Sequence, residues 1–197
     1  EGANTLLDLV DLYHENARGF GLVRAGNVFV KTHRDHPRHK EVMLKLLDGH
    51  LILPRSEDVV STARQFLSFY GKDPAAPQVA RELGEVLDRQ GKRPEAAQAF
   101  EQAWRASGGK DVKSAYRAVK LFGDAGGTAN ARECGRIALE LLDRLNGTPA
   151  EALALYAFGR CVHGNWDRKT AAAIGEKVVQ RNLVWDPARR AKLHYDV

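Results

Sequence analysis

Aromatic residues make up only 8% of this 197-residue chain, and it holds two cysteines and one methionine. Cys134 and Cys161 cannot build the disulfide framework of a small secreted scaffold. Each falls on an apolar helical stripe, where it reads as a small core residue that behaves as a hydrophobe. No apolar run approaches the roughly 18 residues needed to cross a bilayer as a helix. Strand-like alternation of apolar and polar residues is nearly absent, so an all-β fold is disfavoured. Serine is scarce, and no Ser/His/Asp or Cys/His set stands in a recognisable motif context. Gly19, Gly21 and Gly26 form no G-x-G-x-x-G fingerprint, and no Walker-type lysine follows a strand. These absences predict a chain that is not an enzyme and that holds no cofactor.

What is present is a soluble globular composition, 44% hydrophobic and 28% charged, rich in alanine and leucine. The net charge of +5 and pI near 9.3 suggest an acidic partner. The same balance fits the mitochondrial matrix, with the cytoplasm as the alternative. The chain opens on Glu1-Gly2-Ala3 rather than methionine, which predicts a segment removed or omitted ahead of it.

The stretch 77–110 organises the rest. Val79, Ala80, Leu83, Val86 and Leu87 recur at three- and four-residue steps, and so do Ala96, Ala97, Phe100, Ala103 and Trp104. Gly91 sits where the first helix must end, because it accepts a left-handed backbone cheaply. Pro94 falls at the start of the second, where a missing N–H costs nothing. Gly84, Ala96 and Ala103 are small where two antiparallel helices approach. The expectation is a helical hairpin.

Similar pairs flank it. Val42, Leu46 and Leu47 precede a break at Leu53-Pro54, and Val59, Ala63, Phe66, Leu67 and Tyr70 follow. Val112, Ala115, Tyr116, Val119 and Phe122 lead to Gly126-Gly127, with Ala131, Cys134, Ile137, Ala138 and Leu141 beyond. A last pair spans Ala152–Val162 and Thr170–Leu183. The breaks at Pro54, Gly91, Gly126 and Gly164 are 37, 35 and 38 residues apart (91−54, 126−91, 164−126).

Leu83-Gly84, Leu87, Gly91, Ala96, Phe100 and Ala103 resemble a tetratricopeptide (TPR) repeat, and Gly71-Lys72-Asp73-Pro74 resembles the close of the related pentatricopeptide (PPR) repeat. The resemblance implies an all-α, right-handed solenoid of about four antiparallel hairpins in one domain. Its expected parts are an N-terminal helix and loop (1–37), units 38–74, 75–110, 111–147 and 148–185, and a C-terminal cap (186–197). It also implies a groove lined by first helices, which places Gln78, Arg81, Glu85, Asp88 and Arg89 on a partner-binding face. Trp104 and Trp166 read as interhelix packing rather than platforms for bases.

The N-terminal region reads as a first helix capped by Asn4-Thr5, with stripe Leu6, Leu9, Val10, Leu12 and Tyr13, followed over 19–30 by an ordered loop or the return limb of an incomplete first repeat. Then comes the most polar run, Lys31 to Lys40. His33, His36 and His39 recur every third residue, but Pro37 and four cations argue against a metal, and none is expected. The run reads as a solvated basic connector ahead of a helix beginning near His39; its Lys31, Arg34, Arg38 and Lys40 could meet an acidic surface, a phosphate backbone or a carboxylate on a partner.

Two functions compete. One is a structural, protein-binding subunit of a larger assembly; in length, charge and degenerate repeats the chain resembles the PPR-like accessory subunits on the F1 head of some protist mitochondrial ATP synthases. The other is a PPR-like RNA-binding protein of an organellar ribosome or RNA-processing complex. RNA-reading PPR repeats carry Asn, Ser or Thr early in the first helix. The matching pairs here, Leu44-Lys45, Arg81-Glu82, Arg117-Ala118 and Ala154-Leu155, lack them, so protein subunits are the preferred partners.

Overall fold

The computed structural model describes residues 2–53 and 56–145. Over these residues the chain is all helix: α1 (Gly2–Glu15), α2 (Gly19–Thr32), α3 (His39–Ile52), α4 (Ser56–Tyr70), α5 (Ala76–Arg89), α6 (Arg93–Ala106), α7 (Val112–Ala125) and α8 (Thr128–Leu145). Odd-numbered helices begin at 2, 39, 76 and 112, steps of 37, 37 and 36 (39−2, 76−39, 112−76). Even-numbered helices begin at 19, 56, 93 and 128, steps of 37, 37 and 35 (56−19, 93−56, 128−93). The eight helices are therefore four successive helix pairs at one repeat period, with the first of them at the N-terminal end. The expected last hairpin, its Cys161 and Trp166, the break at Pro54 and the cap over 186–197 lie outside the described residues.

One expectation is corrected. Residues 19–30 are not a loop but most of helix α2. Its buried residues are Gly19, Leu22, Ala25, Gly26, Phe29 and Val30, a helical stripe whose glycines let α3 come close. A Cβ on Gly26 would meet Leu46 at 3.2 Å, and one on Gly49 would meet Leu22 at 3.0 Å. This packing outweighs the roughly 1 kcal/mol that each glycine costs a helix interior. Helix α1 also starts earlier than expected, at Gly2, so Asn4 and Thr5 lie inside it rather than at its cap.

The chain separates into two compact units, 1–86 and 87–197, divided within α5. In unit 1, α2 packs between α1 and α3, and α4 packs on α3. Its core holds Val10, Leu22, Phe29, Val42, Met43, Leu46, Ala63 and Phe66. In unit 2, α7 packs on α6 and α8 around Phe100, Ala103, Trp104, Val119, Phe122, Ile137 and Leu141. Cys134 is fully buried in this core, as the stripe predicts.

Three helix ends close the same way. After α5 the Gly91 N–H donates to the Asp88 carbonyl and the Lys92 N–H to that of Leu87, a Schellman pair with Gly91 at φ +75°. After α6, Gly108 and Gly109 repeat it on Arg105 and Trp104. After α1 the pair falls on Ala17 and Arg18, and Ala17 takes the left-handed conformation at φ +51° without being glycine.

Candidate functional site

Charge pairs stitch successive hairpins together at a fixed offset. In unit 1, Asp11 pairs with Lys45 at 2.7 Å and His14 with Asp48 at 3.1 Å, each 34 residues apart in sequence. In unit 2, Arg136 reaches Glu101 and Arg105 reaches Glu140, each 35 apart. Within each unit, equivalent helices of successive repeats, α1 with α3 and α6 with α8, thus lie side by side, and many of the charges hold that register.

The basic run divides on this basis. Arg38 donates to both oxygens of Asp11 at 3.0 Å, and to Glu41 at 2.7 and 2.6 Å. Lys45 completes the cluster with 2.7 Å contacts to Asp11 and Glu41. Two cations and two carboxylates balance. Hydrogen bonds from Arg38 and then Lys45 hold the Glu41 carboxyl down to about 2. At Asp11 burial pushes the carboxyl upward, and the bonds from Lys45 and Arg38 more than reverse it. Lys40 binds Asp73 at 2.8 Å, and its ammonium is held above its ordinary range by that bond. Arg38 and Lys40 are therefore structural ties. Lys31 and Arg34 are exposed and form no ion pair among the described residues.

The histidines are also taken up by the fold. The rings of His33 and His36 lie 5.2 and 5.3 Å from that of Phe29. The helix expected to begin near His39 does so: His39 opens α3, is 3% exposed, and its Nδ1 meets the Tyr70 hydroxyl at 2.7 Å. The three rings do not converge, and among the described residues no group of three His, Cys, Asp or Glu could hold a metal.

On α5, Gln78, Arg81, Glu85 and Arg89 are exposed and Asp88 is half-buried, so the helix presents them on its outer side. Gln78 donates to Glu82 at 3.0 Å. Glu82 was not anticipated; burial raises its carboxyl above the usual range, and Asp48 and Glu85 add to the rise. Asp88 accepts from Arg117 at 3.3 Å, and the Arg117 guanidinium stands 4.1 Å from the Phe100 ring centre. Trp104 is 1% exposed and packed, as the pattern predicts: its indole donates to the Gly109 carbonyl at 3.2 Å, with Arg105 and Arg144 over the ring.

A further face has no counterpart in the sequence reading, because it lies on α2. Phe20 is 70% exposed and Val28 45%, with exposed Arg24 and Lys31 between and beyond them. The four-residue spacing of Phe20, Arg24 and Val28 was the available signal, hidden once the segment is taken as a loop.

These hairpins define a TPR-like helical-repeat fold. A crystal structure described as a Podosopora anserina putative kinesin light chain with nearly identical TPR-like repeats matches 100% of this chain and 94% of its own, at 12% identity and a TM-score of 0.50. A second crystal structure, of a variant of that same protein, matches 98% of this chain and 91% of its own, at 12% identity and a TM-score of 0.49. No family model matches the chain, and no curated protein does. Among the described residues no helix is long and apolar enough to cross a membrane.

Proposed function

We propose that this protein is a non-catalytic subunit that binds other proteins within a larger assembly. The observation that carries the reading is the run of four TPR-like hairpins, with many titratable groups committed to holding register and outward faces left on α2 and α5. Helical repeats of this kind serve chiefly as extended binding surfaces. The finer reading is an accessory subunit on the F1 head of a mitochondrial ATP synthase, in the matrix. Its support is the basic charge, the short array and the lack of short polar residues at the RNA-reading positions.

Purification of the tagged protein from its own source, with and without nuclease, tests both levels. A stoichiometric protein complex that survives nuclease is expected, with F1 subunits among its chains. A complex of other proteins would remove the ATP synthase assignment. Dissolution by nuclease with recovery of RNA would replace the protein-binding reading with the RNA-binding one.

A further inference from the structure

The outward side of α2 differs from every other even-numbered helix in the described residues. Helix α4 carries Glu57 and Asp58, α6 carries Glu95 and Glu101, and α8 carries Glu133, Glu140 and Asp143; α2 has no acidic residue at all. Its exposed line instead alternates Phe20, Arg24, Val28 and Lys31, which one face of a helix presents over about 16 Å. Arg34, just past the helix end, continues the positive charge. None of Arg24, Lys31 and Arg34 is paired within the described residues. The apolar character grows at one end. Gly19 lies against Leu53, so the start of α2 meets the end of α3, where Ile52 is 57% exposed; Leu12, near the turn from α1 into α2, is 53% exposed.

We propose that this line docks an acidic amphipathic helix of a partner protein, its apolar side chains on Phe20 and Val28 and its carboxylates on Arg24, Lys31 and Arg34. The charge is complementary to such a helix. Alternation of apolar and cationic side chains at helical steps matches its i, i+4 spacing. A bilayer calls for apolar groups at one depth with cations above them, not alternating along a single line. A nucleic-acid strand calls for successive flat rings, and Val28 supplies none. The proposal rests on the protein-binding reading and names the partner chemistry of one face.

The test uses the full chain and a labelled synthetic helix of about 18 residues, five turns. Leucines line one face and glutamates flank it; a second peptide replaces every glutamate with lysine. Poly(U) RNA and phosphatidylserine vesicles are the other probes. The glutamate peptide is expected to bind, and Phe20→Ala or the double variant R24E/K31E to weaken it about tenfold or more. R24E/K31E is also expected to gain affinity for the lysine peptide, while its helical CD spectrum and melting point stay unchanged. The proposal is overturned if neither peptide binds, if both bind alike, or if RNA or vesicles bind through Arg24 and Lys31 in place of the glutamate peptide. Retention of R24E/K31E and Phe20→Ala in the nuclease-resistant native assembly would sink this proposal alone. Dissolution of that assembly by nuclease would sink the reading beneath it.

Discussion

The two units solve the same packing problem in opposite ways. Within the described residues, unit 2 puts large apolar side chains inside and a ladder of arginines and glutamates outside, with Ser114 its one buried polar residue. Unit 1 buries His39, His50 and Thr62, brings helices together through glycine, and exposes Leu12, Phe20, Val28, Leu51, Ile52 and Phe69. Among the described residues, all the exposed large hydrophobics therefore fall in unit 1. A repeat that spends apolar surface on solvent and polar groups on its interior gives up stability, and its exposed face is where function is sought.

The largest expected effect tests the core of unit 2. Phe100→Ala, at a fully buried position, should cost about 3–5 kcal/mol in urea unfolding. A loss within about 0.5 kcal/mol would mean that this core does not depend on its aromatic residues. Next comes the glycine contact of unit 1. Gly49→Val sets new methyls where a Cβ alone already meets Leu22 at 3.0 Å and Val23 at 3.3 Å, and should cost about 1–3 kcal/mol. An unchanged melting point would show that α2 and α3 do not rely on close approach.

Ala17→Gly should act in the other direction. It places glycine at φ +51°, as Gly91 and Gly108 already provide elsewhere, and should stabilise by about 1 kcal/mol; a destabilised variant would contradict the left-handed cap. The smallest effect is acid-dependent. The Glu41 carboxyl, at about 2 in the fold against an ordinary 4.5, contributes stability that is complete above about pH 4.5 and is lost as pH falls toward 2. Its side chain is 42% exposed, so the contribution should stay within about 1 kcal/mol. Glu41→Gln should lower the melting point at pH 7 slightly and flatten its fall between pH 4.5 and pH 2; an unchanged acid profile would argue against the Asp11–Arg38–Glu41–Lys45 cluster.

Legibility followed the same division. The stripes of α5 and α6, the Gly91 turn and Pro94 were readable because each local preference agreed with the final packing. Helix α2 was not, since its glycines, valines and phenylalanines favour loop or strand, and contact with α1 and α3 overrides them. Leu22, Ala25, Phe29 and Val30 nevertheless carried a helical stripe. Among the site residues, Lys31 and Arg34 form no ion pair among the described residues, whereas Arg38 and Lys40 are ion-paired within the fold. Glu41 lies three residues from Arg38, but Asp11 and Asp73 stand 27 and 33 residues from Arg38 and Lys40, a distance at which sequence spacing carries no signal until the repeat offset is known.

Trp104 has one more consequence. All three tryptophans, at 104, 166 and 185, follow residue 86. Indole emission therefore watches only the second half of the chain, whereas far-ultraviolet dichroism sums over every helix. Recorded on one denaturant series, the two signals act as a built-in pair of gauges: superposed curves mean a single cooperative melt, and displaced curves mean that unit 1 comes apart on its own schedule.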